Sequence, residues 1–238
     1  MSANIMITGI SRGIGRALAE HCLGRGDAVF GISRSSVNLT SPPGTLRTVQ
    51  HDLSDLDGIK TQLFALLDGQ RELDLLVLNA GILGPIRDMV DTPLSDIRQQ
   101  MEVNTWANKT ILDGLFNNGV RVRQVVGLSS GAAVSGSRGW GGYALSKATF
   151  LMMLKLYAAE IPDTHFCSLA PGLVDTSMQD YLCGLEASYG AKFPTVARIQ
   201  SARGTDGMPS PEQLAPRLLD KIGELLKEPS GSFIDIRH

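Results

Sequence analysis

The sequence predicts an α/β fold, a single domain in which helices flank a parallel sheet of about seven strands. Short apolar runs alternate with longer helical patterns along the whole chain, the signature of successive βαβ units. The 238 residues contain no linker, internal repeat or low-complexity tract, and this length suits one continuous sheet. A glycine-rich segment, Thr8-Gly9-Ile10-Ser11-Arg12-Gly13-Ile14-Gly15, follows the first apolar run and opens the first helical pattern.

The elements are expected in this order. Asn4 to Thr8 forms the first strand, an apolar Ile-Met-Ile run ending at the glycine-rich turn, and Gly13 to Leu23 forms the first helix. Strands at Ala28 to Ile32 and Leu46 to His51 precede a helix from Leu56 to Leu67. The apolar run Leu73 to Leu78 is the fourth strand, and one long helix is predicted from Leu94 to Phe116. Val122 to Leu128 is the fifth strand, followed by a helix from Gly142 to Glu160 and a sixth strand from His165 to Leu169. Asp175 to Pro209 breaks the rhythm. It is longer than most connections in compact domains, and such segments are often lids or binding loops. A helix from Pro211 to Leu226 and a strand from Ser232 to Ile236 complete the pattern.

Composition narrows the partners. The formal net charge is -2 and no dense Lys/Arg run occurs, which argues against nucleic acid or an anionic membrane surface and for a small molecule. The first strand follows Met1 closely, with no basic leader, and no run of 18 apolar residues occurs, so a cytoplasmic protein without a membrane span is expected. Cys22, Cys167 and Cys183 are scattered, without CxxC spacing, and predict neither disulfides nor zinc. His21, His51, His165 and His238 are equally dispersed, so no metal site is expected.

The chemistry lies in a few spaced residues. Gly9 permits a tight turn, and the backbone of Gly9, Ser11, Arg12, Gly13, Ile14 and Gly15 leads into a helix N-terminus whose free N–H groups suit a dinucleotide pyrophosphate. Tyr143 and Lys147 are four residues apart, on one helix face, and Tyr143 lies thirteen residues beyond Ser130. A phenol titrates near ~10; a neighbouring ammonium is expected to lower that value and so bring Tyr143 towards general acid–base work. Ser129 competes with Ser130 for the role of the active serine.

In order, the TGxxxGxG segment, Asn79-Ala80-Gly81, Asn104, Ser130, Tyr143-x-x-x-Lys147 and Pro171-Gly172 resemble the short-chain dehydrogenase/reductase family over nearly the whole chain. The resemblance implies a Rossmann-type, doubly wound domain and a catalytic tetrad of Asn104, Ser130, Tyr143 and Lys147. It assigns Ser130 to the substrate carbonyl, Tyr143 to proton donation, Lys147 to the Tyr pKa and the cofactor ribose, and Asn104 to a water relay. It places Asp52 and Leu53 at the adenine, Asn79, Ala80 and Gly81 along the cofactor, and Pro171, Gly172, Val174 and Thr176 by the nicotinamide. Asp52 also reads as a helix cap. The acid that usually selects NADH after the second strand is missing; Ser33, Arg34 and Arg12 stand there instead and favour NADPH/NADP over NADH.

Around the active site, Ser129 to Ala133, Gly139-Trp140 and Asp175-Thr176-Ser177-Met178-Gln179 resemble the benzil and sepiapterin reductases. This implies hydride transfer from NADPH to a ketone or α-dicarbonyl. Trp140, Met178, Tyr181 and Asp235 are the candidate substrate residues, although Trp140 can equally fill the core and Asp235 can equally be a solvated strand-end acid. The alternatives are an NAD-dependent alcohol dehydrogenase and a dinucleotide-binding sensor. Family analogy implies a homodimer or homotetramer through the helices at Leu94 to Phe116 and Gly142 to Glu160, while the apolar run Phe150 to Leu154 can instead be buried within one subunit.

Overall fold

The computed structural model describes residues 2–39 and 43–237; His238 lies outside them. Seven strands form one parallel sheet in the order β3-β2-β1-β4-β5-β6-β7. They are β1 (Asn4–Thr8), β2 (Ala28–Ser33), β3 (Thr45–Gln50), β4 (Glu72–Leu78), β5 (Arg121–Leu128), β6 (His165–Ala170) and β7 (Ser232–Asp235). Each predicted strand is present, with ends displaced by no more than one residue. The order reverses between β1 and β4, and in such sheets ligands bind at the strand carboxyl ends beside this switch point.

Side-chain alternation divides the core. Ile5 and Ile7 point to one face, where α1 (Gly13–Gly24) and α9 (Pro211–Glu224) cover them; Met6 points to the other, beneath α2 (Leu56–Leu67), α4 (Ala107–Phe116) and α5 (Gly141–Glu160). Along the apolar run of α5, Phe150, Leu151, Met153 and Leu154 are buried and Met152 alone is exposed. The run is therefore mostly core of the single chain.

Two expectations need correction. The predicted helix from Leu94 to Phe116 is α3 (Leu94–Met101), a π-helical turn (Glu102–Trp106) and then α4. The break falls where the buried Asn104 side chain bonds to a neighbouring loop. The connection from Asp175 to Pro209 is not an irregular loop: it folds into α6 (Ser177–Cys183), α7 (Ala187–Lys192) and α8 (Pro194–Ala202). Leu182, Phe193, Val196, Ile199 and Met208 close a third hydrophobic cluster with Ile86, Trp140 and Tyr143.

Among the described residues, no helix is long and apolar enough to cross a membrane, and no group of three or more His, Cys, Asp or Glu residues is arranged to hold a metal ion. All three cysteines are free thiols.

Candidate active site

A cleft of about 1060 Å³ opens at the carboxyl ends of the strands, at the upper end of the usual range for ligand pockets. Every predicted site residue lines it except Gly15 and Asn104. Both of these are buried immediately behind its wall.

One end is built by the switch point. The Thr8 hydroxyl accepts from the Asn79 and Ala80 N–H groups at 3.0 and 2.9 Å, and Asn79 Nδ2 donates to the Thr8 and Gly9 carbonyls at 2.7 and 3.2 Å. Asn79 is thus a brace between β1 and β4, not only a small residue beside the cleft. Gly9 has φ +75°, and a Cβ at Gly15 would lie 2.4 Å from Asn79 Nδ2. Only glycine lets α1 approach so closely. Arg12 is the extended N-cap of α1 and makes no side-chain cap bond, which leaves first-turn N–H groups to meet an anion. This glycine cradle fits a dinucleotide pyrophosphate.

The adenosine end is cationic. Arg12 and Arg34 are exposed and line the cleft, and no carboxylate lies within ion-pair distance of either among the described residues. Ser33 is buried and donates its hydroxyl proton to the Ser35 carbonyl at 2.8 Å. Asp52 accepts from the Ser54 N–H and hydroxyl at 3.0 and 2.9 Å. These bonds, with a smaller contribution from Arg34, hold its carboxyl below the usual range. Asp55, not Asp52, caps α2, accepting from the Gly58 N–H at 3.3 Å.

Ser130, Tyr143 and Lys147 converge in the middle. The Ser130 hydroxyl accepts from the Ala132 N–H at 3.1 Å and lies near enough to the Tyr143 phenol to act on its titration; Ser129 lines the same cleft. Burial pushes Tyr143 up to about 12, with Ser130 opposing it. Lys147 donates to the Leu128 carbonyl at 2.8 Å, lies 5.8 Å from the Tyr143 ring centroid and is brought down to about 8 by burial. The expected lowering of the phenol is therefore reversed here. Desolvation is the leading cause for both groups and disfavours each charged form. Asn104 accepts from the Ile82 N–H at 2.8 Å and donates to the Ile82 carbonyl and the Ser146 hydroxyl, each at 2.9 Å. It locks the post-β4 loop against α5, and its side-chain bonds go to protein groups.

The other end is covered by α6 to α8. Trp140 does both things expected of it: it lines the cleft and also packs edge-on to Tyr143, 6.0 Å between centroids. Gly139, at φ +94°, makes this possible, since a Cβ there would lie 2.7 Å from Phe193. Met178 and Tyr181 line the cleft from α6, and the Tyr181 hydroxyl accepts from the Ile86 N–H at 3.2 Å. Asp235 is not a merely solvated strand-end acid: it pairs with Arg237, Nε–Oδ1 at 2.8 Å and Nη2–Oδ2 at 2.5 Å. Arg237, two residues beyond Asp235 in the turn after β7, is not among the predicted residues. Nor is Arg198 on α8, which had no helix to be placed on.

A family model described as short chain dehydrogenase matches residues 3–183. The chain belongs to the short-chain dehydrogenase family. Its members are oxidoreductases that use NAD or NADP. This short-chain dehydrogenase is 29% identical over 244 residues to the benzil reductase ((S)-benzoin forming) of Bacillus subtilis, covering 98% of the chain and 97% of the relative. Among solved structures, the KRED1-Pglu enzyme has a TM-score of 0.83 at 22% identity, covering 97% of this chain and 100% of the other. The 3-oxoacyl-[acyl-carrier protein] reductase of Brucella melitensis, in complex with NAD, has a TM-score of 0.81 at 21% identity, covering 99% and 96%.

Proposed function

We propose that this short-chain dehydrogenase reduces a ketone or α-dicarbonyl to an alcohol at the expense of NADPH. The observation that carries the reading is the convergence of Ser130, Tyr143 and Lys147 in the cleft beside the switch point. The bound dinucleotide supplies a hydride, and the protein orients the acceptor and manages the proton. Ser130 polarises the carbonyl oxygen. Tyr143, kept protonated by burial, gives its proton to the alkoxide that forms as the carbon accepts the hydride, so one carbonyl becomes one secondary alcohol. Lys147 falls only to about 8, remains largely an ammonium at neutral pH, and meets the phenolate left behind. Asn104 keeps the post-β4 loop, and with it Gly81, at the wall next to Lys147. Preference for NADPH rests on Arg12 and Arg34, whose guanidinium forks suit a 2′-phosphate.

The cytoplasm is the compartment that suits three free thiols, two of them buried. A homodimer or homotetramer is favoured by Trp106, Leu145, Met152 and Leu156, which leave α5 and the turn before α4 with an exposed apolar surface. Purified protein assayed with NADPH and NADH against benzil, other α-dicarbonyls and simple ketones tests the activity. Tyr143→Phe should cut turnover by about 10²-fold or more while leaving NADPH affinity largely intact. Retained turnover would sink the assignment.

A further inference from the structure

At the substrate end of the cleft one cationic side chain is clamped by a carboxylate next to the residue that follows Ser130. Arg237 follows β7, and its stem packs where a Cβ at Gly172 would lie 3.5 Å from its Cγ and Cδ. Its Nη2 lies 3.6 Å from the Cβ position of Gly131, the residue after Ser130. Asp235 fixes it through three bonds, accepting from the Arg237 N–H at 3.1 Å, Nε at 2.8 Å and Nη2 at 2.5 Å. Both residues line the cleft.

We propose that Arg237 is a specificity-determining residue that donates a hydrogen bond to a second, uncharged acceptor on the substrate, adjacent to the carbonyl being reduced. This rests on the reductase reading and adds the substrate feature that the site selects. A guanidinium has five N–H donors in a fixed plane, and Asp235 occupies only one edge of that plane. The donors left over lie on the cleft wall next to Gly131, the residue after Ser130, on the side where an oxygen of the carbon next to the reacting one would be met. Charge decides the type of acceptor. Arg237 and Asp235 together are neutral, so a substrate carboxylate would meet the Asp235 charge on the same guanidinium, whereas a carbonyl oxygen meets only the donors. A 1,2-dicarbonyl has that second oxygen in place; a monoketone does not. Sites built to bond a substrate oxygen discriminate strongly against the analogue that lacks it.

The test compares benzil with benzyl phenyl ketone, which has the same two rings and one carbonyl fewer, in the wild-type enzyme, Arg237→Met and Asp235→Asn, with NADPH oxidation as the readout. The expected result is that kcat/KM of Arg237→Met falls about 10- to 100-fold further for benzil than for the monoketone. Asp235→Asn should show a smaller differential loss in the same direction, since the guanidinium remains but loses its clamp. An equal fall on both ketones would overturn the proposal, making Arg237 a support of the strand end. So would a larger differential loss in Asp235→Asn than in Arg237→Met, which would make the carboxylate the substrate contact. Silence of the wild-type enzyme towards both ketones would overturn the reductase reading and this inference with it.

Discussion

At the scale of single residues, burial governs the titration of the active-site pair. Lys147 is 5% exposed and Tyr143 8% exposed, and each is driven towards its neutral form. For Lys147 the folded value lies below the ordinary one, so the unfolded chain binds more protons between about 8 and 10.5 and stability rises with pH across that window. For Tyr143 the folded value lies above the ordinary one, so stability declines as pH rises from 10 to about 12. Lys147→Met should therefore stabilise the protein at pH 7, by at most about 3 kcal/mol, less what is lost at the Leu128 carbonyl. The gain should shrink towards pH 10. Urea unfolding of both proteins at the two pH values measures it, and a gain independent of pH would mean that packing and not desolvation is its source.

At the scale of elements, α6 to α8 cover one end of the cleft like a lid, with a small apolar core of their own and charged fastenings. Asp88, in the loop after β4, receives Arg138 at 2.6 and 2.8 Å and Lys192 of α7 at 3.0 Å. Arg203, after α8, pairs with Asp175 at 3.1 Å and also with Asp180 of α6. These pairs are at the surface, where solvent screens them and each contributes little, so the apolar cluster around Phe193 must hold the lid down. Phe193 is 2% exposed. Phe193→Ala should forfeit about 3–5 kcal/mol locally and loosen the lid ahead of the sheet. Limited trypsin digestion should then cut after Lys192, Arg198 or Arg203 faster than in wild type, with substrate KM raised; unchanged digestion would mean that the lid is anchored elsewhere.

At the scale of the whole molecule, the sheet and its switch point bring to one edge residues as distant in sequence as Gly9 and Arg237, and the same fold leaves an apolar strip outside. Met152 and Leu156 are each 55% exposed on α5 while their neighbours Phe150 and Leu154 are core. They occupy the face opposite the sheet, where a second copy can cover them. On the proposed self-association, Met152→Glu with Leu156→Glu should give a smaller species than wild type in sedimentation velocity without lowering the melting temperature of the subunit. No change in size would place any subunit contact elsewhere.

The sequence by itself determined the strands, the glycine cradle and the Tyr143–Lys147 pair, and left Ser129 beside Ser130. These are local: strand runs are written in consecutive apolar residues, Gly9 and Gly13 are dictated by the positive φ of their turn, and Tyr143 and Lys147 share a helix face by their spacing alone. The tertiary structure decided what depends on neighbours far along the chain. Asn104 interrupts its helix because the Ile82 backbone needs its amide. The segment from Asp175 to Pro209 becomes helical because Ile86, Trp140 and Tyr143 offer an apolar surface to cover, and Arg237 reaches the cleft because its stem lies against Gly172. The phenol of Tyr143 rises because desolvation accumulates from every element packed around it, a quantity that no spacing of two residues encodes.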